Sequence, residues 1–349
     1  GDIRVDEPQY RSGSRRIRPF AQSAQVSQRG CSRALQRAIT DFGADQAFAQ
    51  VMDKLVEHYG IVIGESTIRR ITEEHAQRIF EKAEKAAGGL AWPKQGGSSE
   101  VLIVEMDGGM VPIVEPDATK ADKRKGKKLY WKEAKLCLAH PQGSQTLAYG
   151  GTLQGDVATA GKKLFDCARQ AGFGRGSHVH AVGDGAPWIA DQVEDQFGAQ
   201  GSYLLDFYHV CDYLAAAVKS IVIAPAEQNI WMDEQKARLK TRHSDELITM
   251  LHSHLEPPGV ADDEAPVRQC HRYLSQRREQ LDYQGAQERD LPIGSGEIES
   301  AHRYLAQQRL KRPGAWWRAA NADHMLALRI NRANHQWNAY WAADYQQAA

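Results

Sequence analysis

The sequence predicts a mixed α/β fold that is preceded by a helical region and interrupted by an all-helical insertion. Between residues 101 and 209, short apolar runs alternate with segments of helical spacing, which is typical of a sheet covered by helices. Residues 41–87 have helical periodicity alone. Residues 210–290 are helical and polar, with prolines between the segments and no strand pattern. A chain of 349 residues is long enough to hold these several compact parts.

Residues 1–40 form a basic arm, although the formal net charge of the whole chain is zero. The arm holds eight arginines and three acids, and a second tract, residues 120–135, holds eight lysines or arginines and two acids. Basic tracts on a neutral chain indicate binding to a polyanion, and a solvated loop is the alternative for either tract alone. The residues of these tracts that we expect to contact DNA are Arg15, Arg16, Arg18, Lys123, Arg124, Lys125, Lys127 and Lys128.

Residues 41–95 are predicted to contain a helix-turn-helix. Apolar side chains recur at helical spacing over residues 41–60, and Gly60 is a typical helix stop. Ser66 is a candidate N-cap for the second helix, which has isoleucines along one face. Two helices joined by a short turn are typical of this DNA-binding motif, although many helical hairpins share the pattern. Two arginines near the start of the second helix are the expected DNA contacts, namely Arg69 and Arg70.

Residues 96–220 are predicted to form the first part of a core, which follows a linker rich in glycine, proline and serine at residues 88–100. Six runs have the pattern of strands and two segments have the spacing of helices. The predicted strands cover residues 101–107, 109–114, 132–140, 145–151, 178–184 and 202–209, and the predicted helices cover residues 156–172 and 187–198. The first two strands are expected to form a hairpin.

Three of the apolar runs close with an acid, at Asp107, Asp184 and Asp206. In α/β sheets, ligands collect beyond the carboxyl ends of the strands. A single Asp after a strand is commonly a turn residue, but the same ending on three separate strands favours a shared site.

Residues 221–290 are predicted to be the helical insertion, and residues 291–349 to complete the core with C-terminal helices. A Gly-Ser-Gly turn at residues 294–296 opens a helix with Glu297 and Glu299 in its first turn. Acids at a helix start are favoured by the dipole alone, and both glutamates flank the buried stripe, so periodicity does not choose between them. The predicted stripe consists of Ile298, Ala301 and Leu305.

Asp107, Asp184 and Glu299 can converge if the first and fourth strands are neighbours and this helix packs over the sheet. Clustered carboxylates repel one another unless a cation neutralises them. Oxygen ligands with open positions suit Mg²⁺ or Mn²⁺, and two such ions about 3.5–4 Å apart promote in-line phosphoryl displacement. The acids therefore favour a site for two Mg²⁺ ions, in which Mn²⁺ would substitute.

Other classes of site fit the sequence less well. The chain has no Gly-x-x-x-x-Gly-Lys-Ser/Thr loop and no Gly-x-Ser-x-Gly motif after a strand. Its five cysteines are scattered without a Cys-x-x-Cys pair, which argues against a Cys-based zinc site and favours a reducing compartment. The histidines that could be metal ligands lack helical spacing, so we expect structural roles for His140, His178, His180 and His209. A glycosidase pair is a competitor on the acids alone, and the basic arm counts against it.

Five motifs occur in order along the chain: VEMDGGMVPI, LYWKEAKL, AVGDGAPWI, LLDFYHVCDYL and IGSGEIES...QRLKRPGAWW...LRIN. Together they resemble the DDE transposases of bacterial insertion sequences, in particular the ISKra group, over about residues 45–341. The resemblance implies an RNase H-like core that a helical insertion interrupts. The separation of 115 residues between Asp184 and Glu299 fits such an insertion.

The resemblance also implies roles for individual residues. It marks Asp107, Asp184 and Glu299 as the catalytic acids and Mg²⁺ ligands, with Glu297 as a bystander. The acid-x-x-His stretch implies a supporting role for Asp206 and His209. Trp316 and its neighbour Trp317 are expected either to stack on exposed bases or to pack in the core. The residues implied to contact DNA near the site are Arg309, Lys311, Arg312 and Trp316.

The expected function is that of a DNA transposase, which binds element ends and catalyses Mg²⁺-dependent strand cleavage and strand transfer on double-stranded DNA. We expect a homodimer or larger assembly on DNA, no membrane association, and a bacterial cytoplasmic location at the nucleoid. The alternatives are a catalytically silent DNA-binding or regulatory protein on the same fold, and a nuclease that hydrolyses without joining. One departure is that residues 10–20 lack the cysteine pairs that relatives usually carry near the N-terminus.

Overall fold

The structure is a computed structural model that describes residues 3–24, 26, 30–87, 100–117, 119, 126–222 and 224–346, of which residue 15 and residues 344–346 are described by their backbone alone. Most of the predicted linker and the predicted DNA contacts Lys123, Arg124 and Lys125 lie outside the described residues. A five-stranded mixed sheet with helices on both faces confirms the predicted α/β class.

The N-terminal part has a small antiparallel hairpin followed by four helices. The hairpin is β1 (Tyr10–Ser12) and β2 (Arg15–Ile17), and the helices are α1 (Pro19–Ser23), α2 (Arg33–Asp45), α3 (Phe48–Tyr59) and α4 (Glu65–Ala86). The single helix predicted over residues 41–60 is wrong, because extended backbone at Gln46 and Ala47 separates α2 from α3. Gly60 ends α3 in the left-handed conformation, as predicted. The N-cap of α4 is Gly64 rather than Ser66, which lies inside the first turn.

The central sheet has the spatial order β5-β4-β3-β6-β7. Its strands are β3 (Val101–Pro116), β4 (Lys127–Pro141), β5 (Ala148–Thr152), β6 (His178–Gly183) and β7 (Gly201–Leu205). β3 is antiparallel to β4, which is antiparallel to β5, whereas β3, β6 and β7 are parallel. The carboxyl ends of β6 and β7 therefore lie side by side, next to the middle of β3.

β3 does not turn at Gly108 and Gly109, so the predicted hairpin between residues 101–107 and 109–114 is wrong. The strand runs straight through both glycines and pairs with β4 over its whole length. The glycines serve close approach instead: a Cβ on Gly108 would collide with the Glu133 side chain, and a Cβ on Gly109 would lie 2.6 Å from His302 Nδ1.

Helices cover the two faces of the sheet with separate apolar clusters. One face packs against α5 (Val157–Gln170) and α6 (Pro187–Phe197). The other face packs against α4 and the C-terminal helical segments.

The central helical region begins earlier than predicted, directly after β7. Its helices are α7 (Phe207–Ile221), α8 (Pro225–Lys240), α9 (Ser244–Ser253), α10 (Pro266–Ser275) and α11 (Tyr283–Glu288). Residues 206–209 were expected to end a strand, but Asp206 is the N-cap of α7. These helices share one apolar cluster with Ile103, Leu204 and Leu205 of the sheet.

The last part of the chain returns to the sheet. It comprises α12 (Gly296–Ala301), a π-helical stretch (His302–Gln307), α13 (Gln308–Leu310), α14 (Ala319–Ala333) and α15 (Trp337–Gln346). The first three follow one another without a break, and we call them the 296–310 segment. Its predicted apolar stripe is buried as expected at Ile298, Ala301 and Leu305. No described helix is both long and apolar enough to cross a membrane.

Candidate metal and nucleic-acid site

The carboxyl edge of the parallel strands places three aspartates in one row. The β3–β6 register ends two residues before Asp107 and Asp184, so its continuation sets these residues opposite each other. The β6–β7 register ends one residue before Asp184 and Asp206. Asp184 and Asp206 directly follow β6 and β7, whereas Asp107 lies within β3, because β3 continues beyond its two parallel neighbours. The row thus joins the two aspartates that were predicted to be catalytic.

The third predicted acid, Glu299, lies on α12, and its negative charge acts on the Asp107 carboxyl. Burial raises the pKa of the Asp107 carboxyl above its ordinary value. The negative charges of Asp184 and Glu299 raise this pKa further, whereas His302 and the Gly108 N–H lower it. Asp184 and Glu299 are therefore each near enough to Asp107 for their charges to act on its carboxyl group.

Glu105 docks α12 onto the sheet, a role that the sequence did not indicate. It precedes Asp107 by two residues, points to the same face of β3 and is buried. Its Oε2 accepts a hydrogen bond from the Ile298 N–H at 2.7 Å. Burial raises the pKa of Glu105 to about 8 and outweighs the lowering by the Ile298 hydrogen bond, and the negative charge of Glu297 adds a smaller increase. The helix that carries Glu299 thus begins on a buried carboxyl group.

His302 makes a second link between the 296–310 segment and β3. Its Nε2 lies 3.1 Å from the Asp107 carbonyl oxygen and 3.4 Å from Asp107 Oδ2. Because a carbonyl only accepts hydrogen bonds, Nε2 carries a proton. Gly109 leaves the space that the imidazole ring occupies. No role was predicted for His302, although its position three residues after Glu299, on the same side of the helix, is a sequence signal that could have indicated one.

Asp206 forms hydrogen bonds with both the end of the sheet and the start of α12. Its Oδ1 accepts hydrogen bonds from the backbone N–H groups of Tyr208 at 2.6 Å and His209 at 2.9 Å. Its Oδ2 accepts from the Ser295 N–H at 2.6 Å and the Ser295 hydroxyl at 2.5 Å. The Asp206 N–H itself donates to the Gly183 carbonyl at 2.7 Å. Asp206 therefore ties Asp184's strand and Glu299's helix together, consistent with the supporting role expected of it.

The central helical region supports the strand end that carries Asp184. The Tyr273 hydroxyl donates to the Asp184 carbonyl at 2.6 Å, and Arg277 Nε donates to the Gly185 carbonyl at 2.8 Å. The His209 ring packs against Tyr213 and Tyr273, so His209 is connected to Asp184 through Tyr273. No sequence signal indicated Tyr273 or Arg277, because both contacts join parts of the chain that are far apart in sequence.

Two of the histidines that were expected to be structural also position this region. The Pro292 carbonyl, four residues before α12, lies 2.8 Å from His180 Nε2. His140 Nε2 lies 2.8 Å from Glu297 Oε2. Burial lowers the His140 pKa, but the contact with Glu297 and the charge of Glu105 raise it, and the net result is a raised pKa. Glu297 thus contacts His140 on β4, whereas the charge of Glu299 acts on Asp107.

The donor chemistry at this edge fits hard divalent cations. Asp107, Asp184 and Glu299 offer carboxylate oxygens, the preferred ligands of Mg²⁺ and Mn²⁺, and their mutual repulsion is the condition that a cation relieves. In the described part of the chain, no three His, Cys, Asp or Glu side chains are close enough to enclose an ion. The carboxylates therefore lie at one edge of the sheet without surrounding a single ion position.

The predicted DNA contacts fall into several groups. Exposed side chains are those of Arg16, Arg18, Arg69, Lys127, Lys128 and Lys311. Arg70 and Arg312 are half-buried: Arg70 pairs with Glu74 at 3.3 Å, and Arg312 donates to Gln50 at 2.7 Å. The Arg15 side chain lies outside the description.

Arg309 does not fit the DNA contact predicted for it, because its side chain is only 2% exposed. Its guanidinium lies 4.7 Å from the ring centres of both Phe48 and Trp317, and its Nε donates to the Gly43 carbonyl at 3.0 Å. Burial lowers the Arg309 pKa to about 10. Arg309 therefore joins the N-terminal helices to the rest of the molecule.

Comparison with known proteins gives no family: no family model matches the chain, and no curated protein matches it significantly.

Proposed function

We propose that this protein is a DNA transposase of the DDE type, related to the ISKra group and built on an RNase H-like core. The observation that carries the proposal is the strand register that sets Asp107 and Asp184 opposite each other at the carboxyl edge of the parallel strands, where the charge of Glu299 also acts on Asp107. These acids come from β3, from the end of β6 and from the helix that follows the central helical region. The sequence resemblance implies a catalytic acid at each of these three residues.

The sheet order and the N-terminal helices support the same proposal. Three antiparallel strands continued by two parallel strands, with helices on both faces, are the arrangement expected of an RNase H-like core. The α3–α4 pair, with a short connection at residues 60–64 and the exposed Arg69 near the start of α4, supports a helix-turn-helix role in binding element ends.

The proposed mechanism assigns each residue a task. Asp107, Asp184 and Glu299 would hold two Mg²⁺ ions, which supply activation of the attacking oxygen and stabilisation of the leaving oxygen. Glu105 and His302 position α12 and Asp107 relative to each other. The exposed cations would neutralise phosphates of double-stranded DNA and hold the scissile bond at the carboxylates.

The substitution Asp107→Asn tests the proposal. DNA binding sites are first located by footprinting on the DNA that flanks the reading frame, and labelled duplexes that contain them are then incubated with Mg²⁺ or with chelator. We expect the wild-type protein to cleave only with Mg²⁺, and Asp107→Asn to lose cleavage by more than about a hundredfold, because a divalent ion contributes several kcal/mol to such a transition state.

The matched control is Asp117→Asn, which neutralises a half-buried acid whose carboxylate accepts hydrogen bonds from the N–H and hydroxyl groups of Thr119. Both variants should bind the duplex as tightly as the wild-type protein. Normal cleavage by Asp107→Asn would overturn the assignment. Binding without any cleavage by the wild-type protein would favour the silent DNA-binding alternative, and cleavage without joined products on a target duplex would favour the nuclease.

A further inference from the structure

Two tryptophan rings are exposed to solvent at the end of the β3–β4 hairpin that is farther from Asp107. Trp131 is 54% exposed and Trp316 is 43% exposed, and their ring centres are 6.4 Å apart at an angle of 57°. Leu129 and Met110 point to the same face of the hairpin and are also exposed. Large rings that remain exposed together mark a contact surface more often than they mark an accident of packing.

Backbone hydrogen bonds fix the chain at both tryptophans. Trp131 is directly opposite Pro112 in the β3–β4 ladder. On the other side of Pro112, residues 316–318 run along the free edge of β3, where the Val114 N–H donates to the Trp317 carbonyl at 2.8 Å and the Trp317 N–H donates to the Pro112 carbonyl at 3.4 Å. The two tryptophans thus flank one proline on a paired backbone, and a ligand that binds them has little backbone freedom to remove.

We propose that Trp131 and Trp316 form a stacking platform for an unpaired base of a DNA strand. The proposal rests on the proposed function, and it adds a single-stranded segment to the substrate. Every base has a π-face that an aromatic side chain can cover, whereas the bases of an intact duplex are already covered by their neighbours. The platform therefore selects unpaired nucleotides over paired ones.

The charge around the platform fits a nucleic acid. Lys311 Nζ lies 5.9 Å from the Trp131 ring centre, and Lys127 is exposed on the same strand and the same face as Trp131. Lys128 is exposed beside it on the opposite face. The acid nearest along this strand, Glu133, is paired with Lys135 at 2.8 Å. Phosphates would find exposed lysines here, whereas a symmetric contact between two copies would bring these lysines against one another.

The platform lies away from the chemistry. Pro112 follows Asp107 by five residues, which is about 17 Å along a strand, or about five base steps of B-form DNA. It also lies on the opposite face of the hairpin, because residues an odd number apart point to opposite faces. A base on the platform would thus flank the cut, so losing the platform should weaken binding and leave cleavage of bound DNA intact.

The test is binding of a labelled oligothymidine strand and of a labelled duplex of equal length, by fluorescence anisotropy in chelator at one salt concentration. We expect Trp131→Ala and Trp316→Ala each to weaken single-strand binding about tenfold, and duplex binding less than about twofold. Trp131→Phe and Trp316→Phe should recover most of the single-strand affinity, because a smaller ring still stacks. Ile230→Ala, which truncates an exposed apolar side chain on α8, should change neither.

Equal losses for strand and duplex, or no loss in either tryptophan variant, would overturn the platform. A change in the oligomeric mass of Trp131→Ala by sedimentation would also overturn it and would assign the surface to self-association. Because binding is measured without Mg²⁺, a protein that selects single strands through these tryptophans but never cleaves DNA would keep this inference and lose the proposed function.

Discussion

At the scale of single residues, Glu297 and Glu299 are separated by one residue and have different partners. Glu297 Oε2 lies 2.8 Å from His140 Nε2, whereas the charge of Glu299 acts on Asp107. Glu299→Gln is therefore expected to reduce Mg²⁺-dependent cleavage by more than about a hundredfold. Glu297→Gln, which weakens one partly exposed ion pair, is expected to change it by less than about fivefold. Parallel cleavage assays on one duplex check both, and equal losses in the two variants would contradict the assignment.

Residues with special backbone or packing roles are where sequence and structure diverge most. Gly108 and Gly109 have the composition of a turn, but they lie in a strand because side chains from β4 and from the 296–310 segment occupy the space beside them. Arg309 sits in a basic run that is typical of a DNA contact, but two aromatic rings from distant segments enclose it. Local patterns carry no information about such partners, and therefore neither outcome could be predicted.

At the scale of elements, several predictions from apolar patterns agree with the structure. Short apolar runs predicted the strands at residues 101–107, 132–140 and 178–184, and helical spacing predicted the buried stripe of the 296–310 segment. Helical spacing alone also predicted one helix over residues 41–60, where the chain forms two. Boundaries were less predictable. Residues 206–209 have the apolar composition of a strand, but the Asp206 carboxyl caps α7 and ends β7 at Leu205.

The start of α12 on Glu105 predicts a pH-dependent stability. In the folded protein the Glu105 pKa is about 8, against 4.5 for an ordinary glutamate, so folding favours the protonated form. The folded state then binds more protons than the unfolded state between these values, and the free energy of unfolding falls as the pH rises through this window, by at most about 1.4 kcal/mol per pH unit.

Glu105→Gln keeps a carbonyl oxygen for the Ile298 N–H and removes the titration, so its stability should decline less steeply from pH 5 to pH 8. The measurement is urea unfolding at several pH values in chelator. Glu227→Gln, an exposed first-turn glutamate of α8, controls for the loss of one charge. Identical slopes for the wild-type protein and Glu105→Gln would show that the buried carboxyl does not carry the pH dependence.

At the scale of the whole molecule, arginines of the C-terminal part connect the N-terminal helices to the core. Arg329 on α14 is buried and donates to the Ala44 carbonyl at 2.5 Å and to Asp45 Oδ1 at 2.6 Å. The same guanidinium donates to the carbonyls of Tyr304 and, at 2.9 Å, Leu305 in the 296–310 segment. One side chain thus links the end of α2 with the 296–310 segment, which carries Glu299.

This connection predicts that the N-terminal helices and the sheet unfold as one unit. Asp45→Ala leaves the buried Arg329 without its carboxylate, and such a loss costs about 3 kcal/mol or more. Asp41→Ala removes only a partly exposed partner of Arg332 and should cost less than about 1 kcal/mol. Urea unfolding followed by circular dichroism and by tryptophan fluorescence should give coincident transitions for both variants, shifted to lower urea for Asp45→Ala. Two separate transitions in the wild-type protein would mean that the N-terminal helices fold independently, and an equal shift in the two variants would place the link somewhere other than Arg329.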